Sequence, residues 1–251
     1  MTPISAIYSR HLLTAAIVGM LSIGCSGETT APPEPPEARI TRAIESTGLR
    51  VTTRDSLLYT VSGVLDNSLF RANRPHLVSL DSLHAMSVNF KGAPFTDLAS
   101  LADLPHIERL DFSGNDSLKS LSTLPDLARL KSLTLNSASS FTSLSGLPVT
   151  PTLVTINISD TPKLQDLSAL STVPNLRSLD LSYNSRITNL DHLPSLTNLE
   201  TLDLSYCAAF SALNSLPELP ALRTIRLYNT AVTQAALAAF SKERPGITID
   251  K

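Results

Sequence analysis

Few side chains in this sequence are placed to do chemistry. Histidine occurs at His11, His76, His84, His106 and His192, and no two stand four residues apart. No HExxH or CxxC occurs either, so the ligand spacing of a zinc or similar site is missing. His106 and His192 each precede an inward apolar residue, which predicts solvated loop positions. Cysteine occurs only at Cys25 and Cys207. Two thiols make no disulfide framework, and neither has a metal-binding neighbour in sequence. With only 9 glycines there is no Gly-rich loop to cradle a phosphate. A GxSxG nucleophile turn is absent too. The remaining chemical candidates are carboxylates. Asp111, Asp180 and Asp203 recur at matching positions, and on neighbouring strands Asp180 and Asp203 would lie ~5 Å apart. Such a pair suits calcium or acid–base work. However, Arg226 follows Asp203 in the same row, and Arg177, Glu200 and Arg223 alternate in sign beside it. Those neighbours favour a solvated, self-neutralising ladder. The sequence therefore predicts no catalytic residue, metal or cofactor.

The elements that position these residues come from one repeated pattern. Segments beginning at Ile107 (IERLDFSGN), Leu130 (LKSLTLNSA), Leu153 (LVTINISDT), Leu176 (LRSLDLSYN), Leu199 (LETLDLSYC) and Leu222 (LRTIRLYNT) all read LxxLxLxx followed by Asn, Ala, Thr or Cys. Their central residues, Leu110, Leu133, Ile156, Leu179, Leu202 and Ile225, are each 23 apart. An earlier copy, with Met86 aligned to Leu110, and a final echo, with Ile247 aligned to Ile225, extend the series. Alternation within each LxL predicts a short strand with Leu110 and Phe112 inward and Asp111 outward. Between strands, apolar residues recur every three, as at Ile187, Leu190, Leu193, Leu196 and Leu199. That period fits 3₁₀ or extended turns. Leu118, Phe141, Leu164, Ile187 and Phe210 share one further inward slot. Prolines fall eight or five residues before the centre, as at Pro125, Pro148, Pro151 and Pro174, and so belong on the return rather than in the strand ladder.

This pattern resembles the leucine-rich repeat family, and its short return is similar to the internalin-like and SDS22-like classes. The resemblance implies an α/β chain wound as a right-handed solenoid: a horseshoe or arc with a parallel sheet on its concave face, a 3₁₀ or extended convex side, and short terminal caps. It also implies an asparagine at the last slot. Asn115 and Asn184 keep it, whereas Ala138, Thr161, Cys207 and Thr230 replace it. Cys207 is accordingly expected to be buried and inert. Leucine-rich repeats generally act as interaction scaffolds.

The outward residues define the predicted binding face. One row reads Ser87, Asp111, Thr134, Asn157, Asp180, Asp203, Arg226, and the next reads Asn89, Ser113, Asn136, Ser159, Ser182, Ser205, Tyr228. Tyr183, Tyr206 and Tyr228, three of the 5 tyrosines, gather at one end. Tyrosine suits a β-edge, and it also suits an interaction hot spot, where it combines area with a polar tip. On the second reading Tyr183, Tyr206, Tyr228, Asp180, Asp203 and Arg226 bind a ligand. Tyr183 and Tyr206, in equivalent slots, are expected to stack. A protein is the expected partner, with glycan as the alternative and an enzyme with an unrecognised site on this face behind both.

The ends read differently. Arg10 and His11 precede the apolar run Leu12 to Gly24, a charged region followed by a run of signal-peptide length. The stretch Leu21-Ser22-Ile23-Gly24-Cys25 resembles a bacterial lipobox, with Ser22 where that motif usually has Leu. It implies cleavage before Cys25, a lipid on Cys25, and a chain exported across the inner membrane and held at the outer membrane or cell surface. Residues 1–24 are thus expected to be a signal peptide, and 25–38 (from Ser26, SGETTAPPEPPEA) a lipidated Cys with a Pro-rich tether. Residues 39–75 read as an N-terminal cap, with a helix over 39–47 stopped by Gly48 and strands or turns over 49–66. The repeats occupy 76–232, and 233–251 form a helix and strand cap opened by Thr233. A net charge of −2 gives no field that would draw nucleic acid or an anionic membrane. An apolar fraction of 42% excludes a wholly disordered chain and a polytopic membrane protein.

Overall fold

The computed structural model describes residues 33–54, 58–164 and 166–251. The expected signal peptide and Cys25 lie outside the described residues. Residues Ile40–Lys251 form one compact unit. No helix of the described residues is long and apolar enough to cross a membrane.

The unit is built on a single open sheet of ten strands in chain order. Strands β1 (Arg50–Arg54) and β2 (Leu58–Ser62) pair antiparallel. Every later pairing is parallel: β3 (Ala85–Asn89), β4 (Ile107–Asp111), β5 (Ser132–Thr134), β6 (Thr155–Asn157), β7 (Ser178–Asp180), β8 (Thr201–Asp203), β9 (Thr224–Arg226) and β10 (Thr248–Asp250). The 23-residue period sets the register directly: Leu110, Leu133, Ile156, Leu179, Leu202 and Ile225 face one another strand by strand. All six are buried, and so is the Leu118–Phe141–Leu164–Ile187–Phe210 slot. The return path is a chain of tight turns. Leu193 N–H donates to Leu190 O at 2.9 Å and Leu199 N–H to Leu196 O at 3.0 Å, which explains the period of three. Short 3₁₀ segments occur at Leu98–Asp103, Ser168–Thr172 and Leu213–Ser215. The N-terminal core is aromatic: Phe90 stacks on Phe95 and Phe112 with ring centroids 4.0 and 5.0 Å apart.

The ends depart from the sequence reading. Helix α1 spans Pro36–Glu45, so it begins inside the expected tether. Pro36 takes the first helical position, where its missing N–H costs nothing. A second helix, α2 (Asn67–Leu83), was not expected and runs across position 76, the predicted start of the repeats. Asp66 caps it by accepting Leu69 N–H at 2.8 Å. At the first repeat Val88, not Met86, pairs with Leu110, because the register shifts between Met86 and Ser87. Asn89 therefore stands in the Asp111 row, and Ser87 does not. At the other end Ile249, not Ile247, pairs with Ile225. In both places two apolar residues stand two apart on the same inward face, so either fits the central slot, and only the pairing decides. Helix α3 (Gln234–Glu243) is capped by Thr233, whose hydroxyl accepts Ala236 N–H at 3.2 Å.

Candidate functional site

Strands β4, β6, β7 and β8 each end on an Asp or Asn whose side chain accepts from the turn that leaves the sheet. Asp180 Oδ1 accepts Ser182 N–H at 2.9 Å and the Ser182 hydroxyl at 2.7 Å. Asn157 does the same for Ser159 at 2.9 and 2.8 Å, and Asp203 Oδ1 accepts Ser205 N–H at 2.9 Å. Asp111 accepts both groups of Ser113. These are Asx turns, and they give the outward Asp row a structural task that the charge-ladder reading missed. The ladder is present as well. Arg226 lies 3.5 Å from Asp203 and 3.5 Å from Asp250, and Arg177 lies 2.7 Å from Glu200. Asp180 and Asp203 are paired across β7 and β8. The second oxygen of Asp180 accepts the Asn157 amide at 3.1 Å. Among the described residues no three His, Cys, Asp or Glu side chains converge on a metal position.

One turn position beyond the Asx pair, the backbone enters the left-handed region. The slot is occupied by Gly92, Gly114, Ser137, Asp160, Tyr183, Tyr206 and Asn229 in successive turns, with φ between 50° and 68°. Glycine, asparagine and aspartate tolerate this conformation, whereas a bulky side chain there is an outlier that costs about 1–2 kcal/mol. Tyr183 (φ 61°) and Tyr206 (φ 62°) hold it nevertheless. Their rings stack at 4.4 Å between centroids and 5° between planes. They are 53% and 42% exposed. The expected stack is there, but these residues lie in the turns, so β-edge preference does not explain them. Desolvation, the neighbouring Tyr206 oxygen to which the Tyr183 hydroxyl donates, and the nearby Asp203 carboxylate raise the Tyr183 hydroxyl pKa above its ordinary value. Tyr228, 47% exposed, sits in the neighbouring serine row, and its carbonyl accepts Tyr206 N–H at 2.6 Å. The structure thus brings together Tyr183, Tyr206, Tyr228, Asp180, Asp203 and Arg226 at the C-terminal end of the strands.

Two features escaped the sequence. Ser205 Oγ is buried without a hydrogen-bond partner, unlike the hydroxyls of Ser113, Ser159 and Ser182 in its row. His106 is not a free loop residue. Its N–H lies 3.2 Å from each carboxylate oxygen of buried Asp81, and its Nδ1 lies 3.1 Å from Asp81 Oδ2. The two residues are 25 apart in sequence and sit on different elements, so no local spacing announces the contact.

The last-slot residues are inward. Asn184 and Asn115 bind backbone across repeats, and the Thr161 and Thr230 hydroxyls donate within their own turns at 2.7 and 2.9 Å. Cys207 is fully buried, and burial pushes its thiol pKa up to about 11.

Comparison with known proteins agrees with this geometry. Residues 174–218 match the family described as Leucine Rich repeats (2 copies). An internalin from Listeria monocytogenes superposes with a TM-score of 0.53 at 22% identity over 70% of this chain and 49% of its own, so this chain spans about half of it. Internalin C2 from Listeria monocytogenes superposes with a TM-score of 0.55 at 22% identity over 85% of this chain and 92% of its own. A sequence comparison with curated proteins returns no match. The 23-residue repeat, the open parallel sheet and these likenesses establish that the chain carries leucine-rich repeats and folds as a leucine-rich-repeat solenoid.

Proposed function

We propose that this chain is a non-catalytic binding scaffold of the bacterial cell envelope that takes a protein partner at the Tyr183–Tyr206 surface. One observation carries the reading: two tyrosines stand, half-exposed and mutually stacked, in a left-handed slot that the other turns fill with Gly, Ser, Asp or Asn. Backbone strain of this kind persists where something other than folding selects the side chain. Stacked, rigid aromatics beside charged groups are the usual anchors of protein interfaces. The carboxylates of the row serve as turn acceptors and ion-pair partners, which leaves them poorly placed for acid–base chemistry.

The test is capture from envelope extract with the full chain and with Tyr183→Asn/Tyr206→Asn, since Asn229 already occupies that slot without strain. Loss of a captured protein at unchanged melting supports the scaffold. Capture that ignores the tyrosines and fails in Thr134→Ala/Asn157→Ala moves the site to the middle strands. A glycan array on the same proteins tests the alternative, an adhesive or glycan-binding role.

Anchoring is part of the same proposal and rests on the apolar run Leu12 to Gly24 that ends at Cys25. Labelled fatty acid should enter the wild type and not Cys25→Ser. An unlabelled, freely released wild type overturns it.

A further inference from the structure

We infer that the two open edges of the sheet fit one another: strand β1 of one copy of this chain adds antiparallel to strand β10 of a second copy. The inference does not depend on the tyrosine surface. Strands β1 and β10 each have one neighbour in the ten-stranded order. Among the described residues each therefore offers a row of backbone groups on its other side.

The hydrogen bonds already made show which groups face outward. Thr248 N–H donates to Arg223 O at 2.7 Å, and Asp250 O accepts Leu227 N–H at 2.8 Å. Those two residues face β9, so by alternation Ile249 turns both its N–H and its C=O to the open side. In β1, Val51 N–H lies outside the ladder to β2 and points to Glu45 Oε1 at 3.4 Å, an exposed contact that an incoming carbonyl replaces. Val51 and Ile249 are also residues whose side chains turn inward. Val51 pairs with fully buried Val61 and Ile249 with fully buried Ile225, and both pack half-buried against the core. Setting Val51 opposite Ile249 thus meets two conditions at once. Each donates its N–H to the other's C=O, and the apolar face runs on from one copy to the next. Had one of them pointed to the concave face, the same hydrogen bonds would have set apolar side chains against polar ones.

The same register matches charge. With Val51 opposite Ile249, exposed Arg50 falls opposite Asp250 and Thr52 opposite Thr248, all four on the concave side. Asp250 meets Arg226 only at 3.5 Å, and a carboxylate has two oxygens with which to take a second guanidinium. Shifting the register by two residues in either direction loses the Arg50–Asp250 pair. Pairing either strand with itself loses it too. β1 contains no acid, and β10 against β10 centred on Ile249 sets Asp250 opposite Thr248. A head-to-tail contact of this kind is heterologous, so each added copy leaves one β1 and one β10 edge open for the next.

The probe is a second copy of the full chain, in a Cys25→Ser background with one added cysteine. Thr52 and Thr248 form a non-hydrogen-bonded pair in this register, with α-carbons ~4.5 Å apart and within disulfide reach. Within one copy they stand on the first and last of ten strands, about 40 Å apart, so no disulfide closes inside a chain. Both threonines are exposed, so melting should stay at the parent value. Thr52→Cys mixed with Thr248→Cys should form a disulfide-linked dimer at least about tenfold faster than either variant alone. A chain carrying both should give a ladder of higher oligomers. Adding Arg50→Asp to the first partner should slow the mixed reaction at least about threefold, and adding Asp250→Arg to the second should restore it. Equal rates in the mixture and in the single variants would overturn the inference in favour of unspecific contact. A mixed rate that ignores Arg50→Asp, or that Asp250→Arg does not rescue, would overturn the register. Folded proteins that form no cross-link at about 0.1 mM would overturn the association itself.

Discussion

Asn184 reaches across one repeat to Thr161, accepting its backbone N–H at 2.8 Å, while its own amide donates to the carbonyls of Ile158 at 2.8 Å and Leu181 at 2.9 Å. The residue is 1% exposed, so no water replaces these bonds when they are lost. Asn184→Ala should cost about 2–4 kcal/mol in urea unfolding, from stranding several buried backbone groups. Thr161→Ala, which loses a single hydroxyl shared between Ile158 O at 2.7 Å and Asn184 Oδ1 at 3.1 Å, should cost about 1 kcal/mol. Equal losses would contradict the idea that Asn184 ties two turns together.

Cys207 should be nearly inert until the chain unfolds. Its Sγ donates to Leu181 O at 3.2 Å, and a pKa of about 11 leaves little thiolate at pH 8. In a Cys25→Ser background, a disulfide reagent should modify the native protein at least about 100-fold more slowly than the urea-unfolded chain. Native labelling at the unfolded rate would place that slot on the surface.

Asp81 supplies a pH dependence of definite sign. Burial raises its carboxyl pKa above the ordinary value, against the opposing hydrogen bonds and charge of His106. Folding therefore favours the protonated form. The contribution is fully present below the ordinary carboxyl pKa and is lost as pH rises through the raised one. Asp81→Asn keeps an acceptor for His106 N–H and cannot ionise. Its urea midpoint should exceed that of the wild type at pH 7, and the gap should close as the pH is lowered into the acid range. A gap that widens in acid would mean that folding favours the ionised form.

The left-handed tyrosines make an unusual stability forecast. Tyr183→Asn removes a backbone penalty of about 1–2 kcal/mol and a ring stack of about 0.5–1.5 kcal/mol, terms of similar size and opposite sign. Thermal melting should therefore move by less than about 1 kcal/mol equivalent, whereas Leu179→Ala, at a fully buried position, should lose about 2–5 kcal/mol. A large loss in Tyr183→Asn would make the ring a core residue.

The interior of the fold was legible because each slot repeats its own residue type, from Leu133 to Ile225, and a wrong register there would expose every leucine at once. The ends were ambiguous because Met86 and Val88, or Ile247 and Ile249, lie on the same inward face and either could take the central slot. Helix α2 lacks a repeat partner, and only its cap at Asp66 marks its start. The gathering of Tyr183, Tyr206, Asp180 and Asp203 followed from period alone. Their conformations did not, since the left-handed slot is announced by glycine only at Gly92 and Gly114, and tyrosine is the residue type that conceals it. Asp81 and His106 show the limit of spacing arguments, because their contact depends on where α2 docks.

The uniform register between β4 and β9 also makes this molecule divisible into genetic units. A duplication of residues 184–206 adds 23 residues and returns the chain in phase, with a second copy of Tyr206 beside the first. An excision of the same length shortens the sheet by one strand, ~4.8 Å, and leaves a single ring in the row. Unequal recombination can thus lengthen or abolish the aromatic stack in whole steps, while a shift of one residue breaks the core. The size of this surface is set by how many units the gene carries, and it can change without any point substitution in the residues that form it.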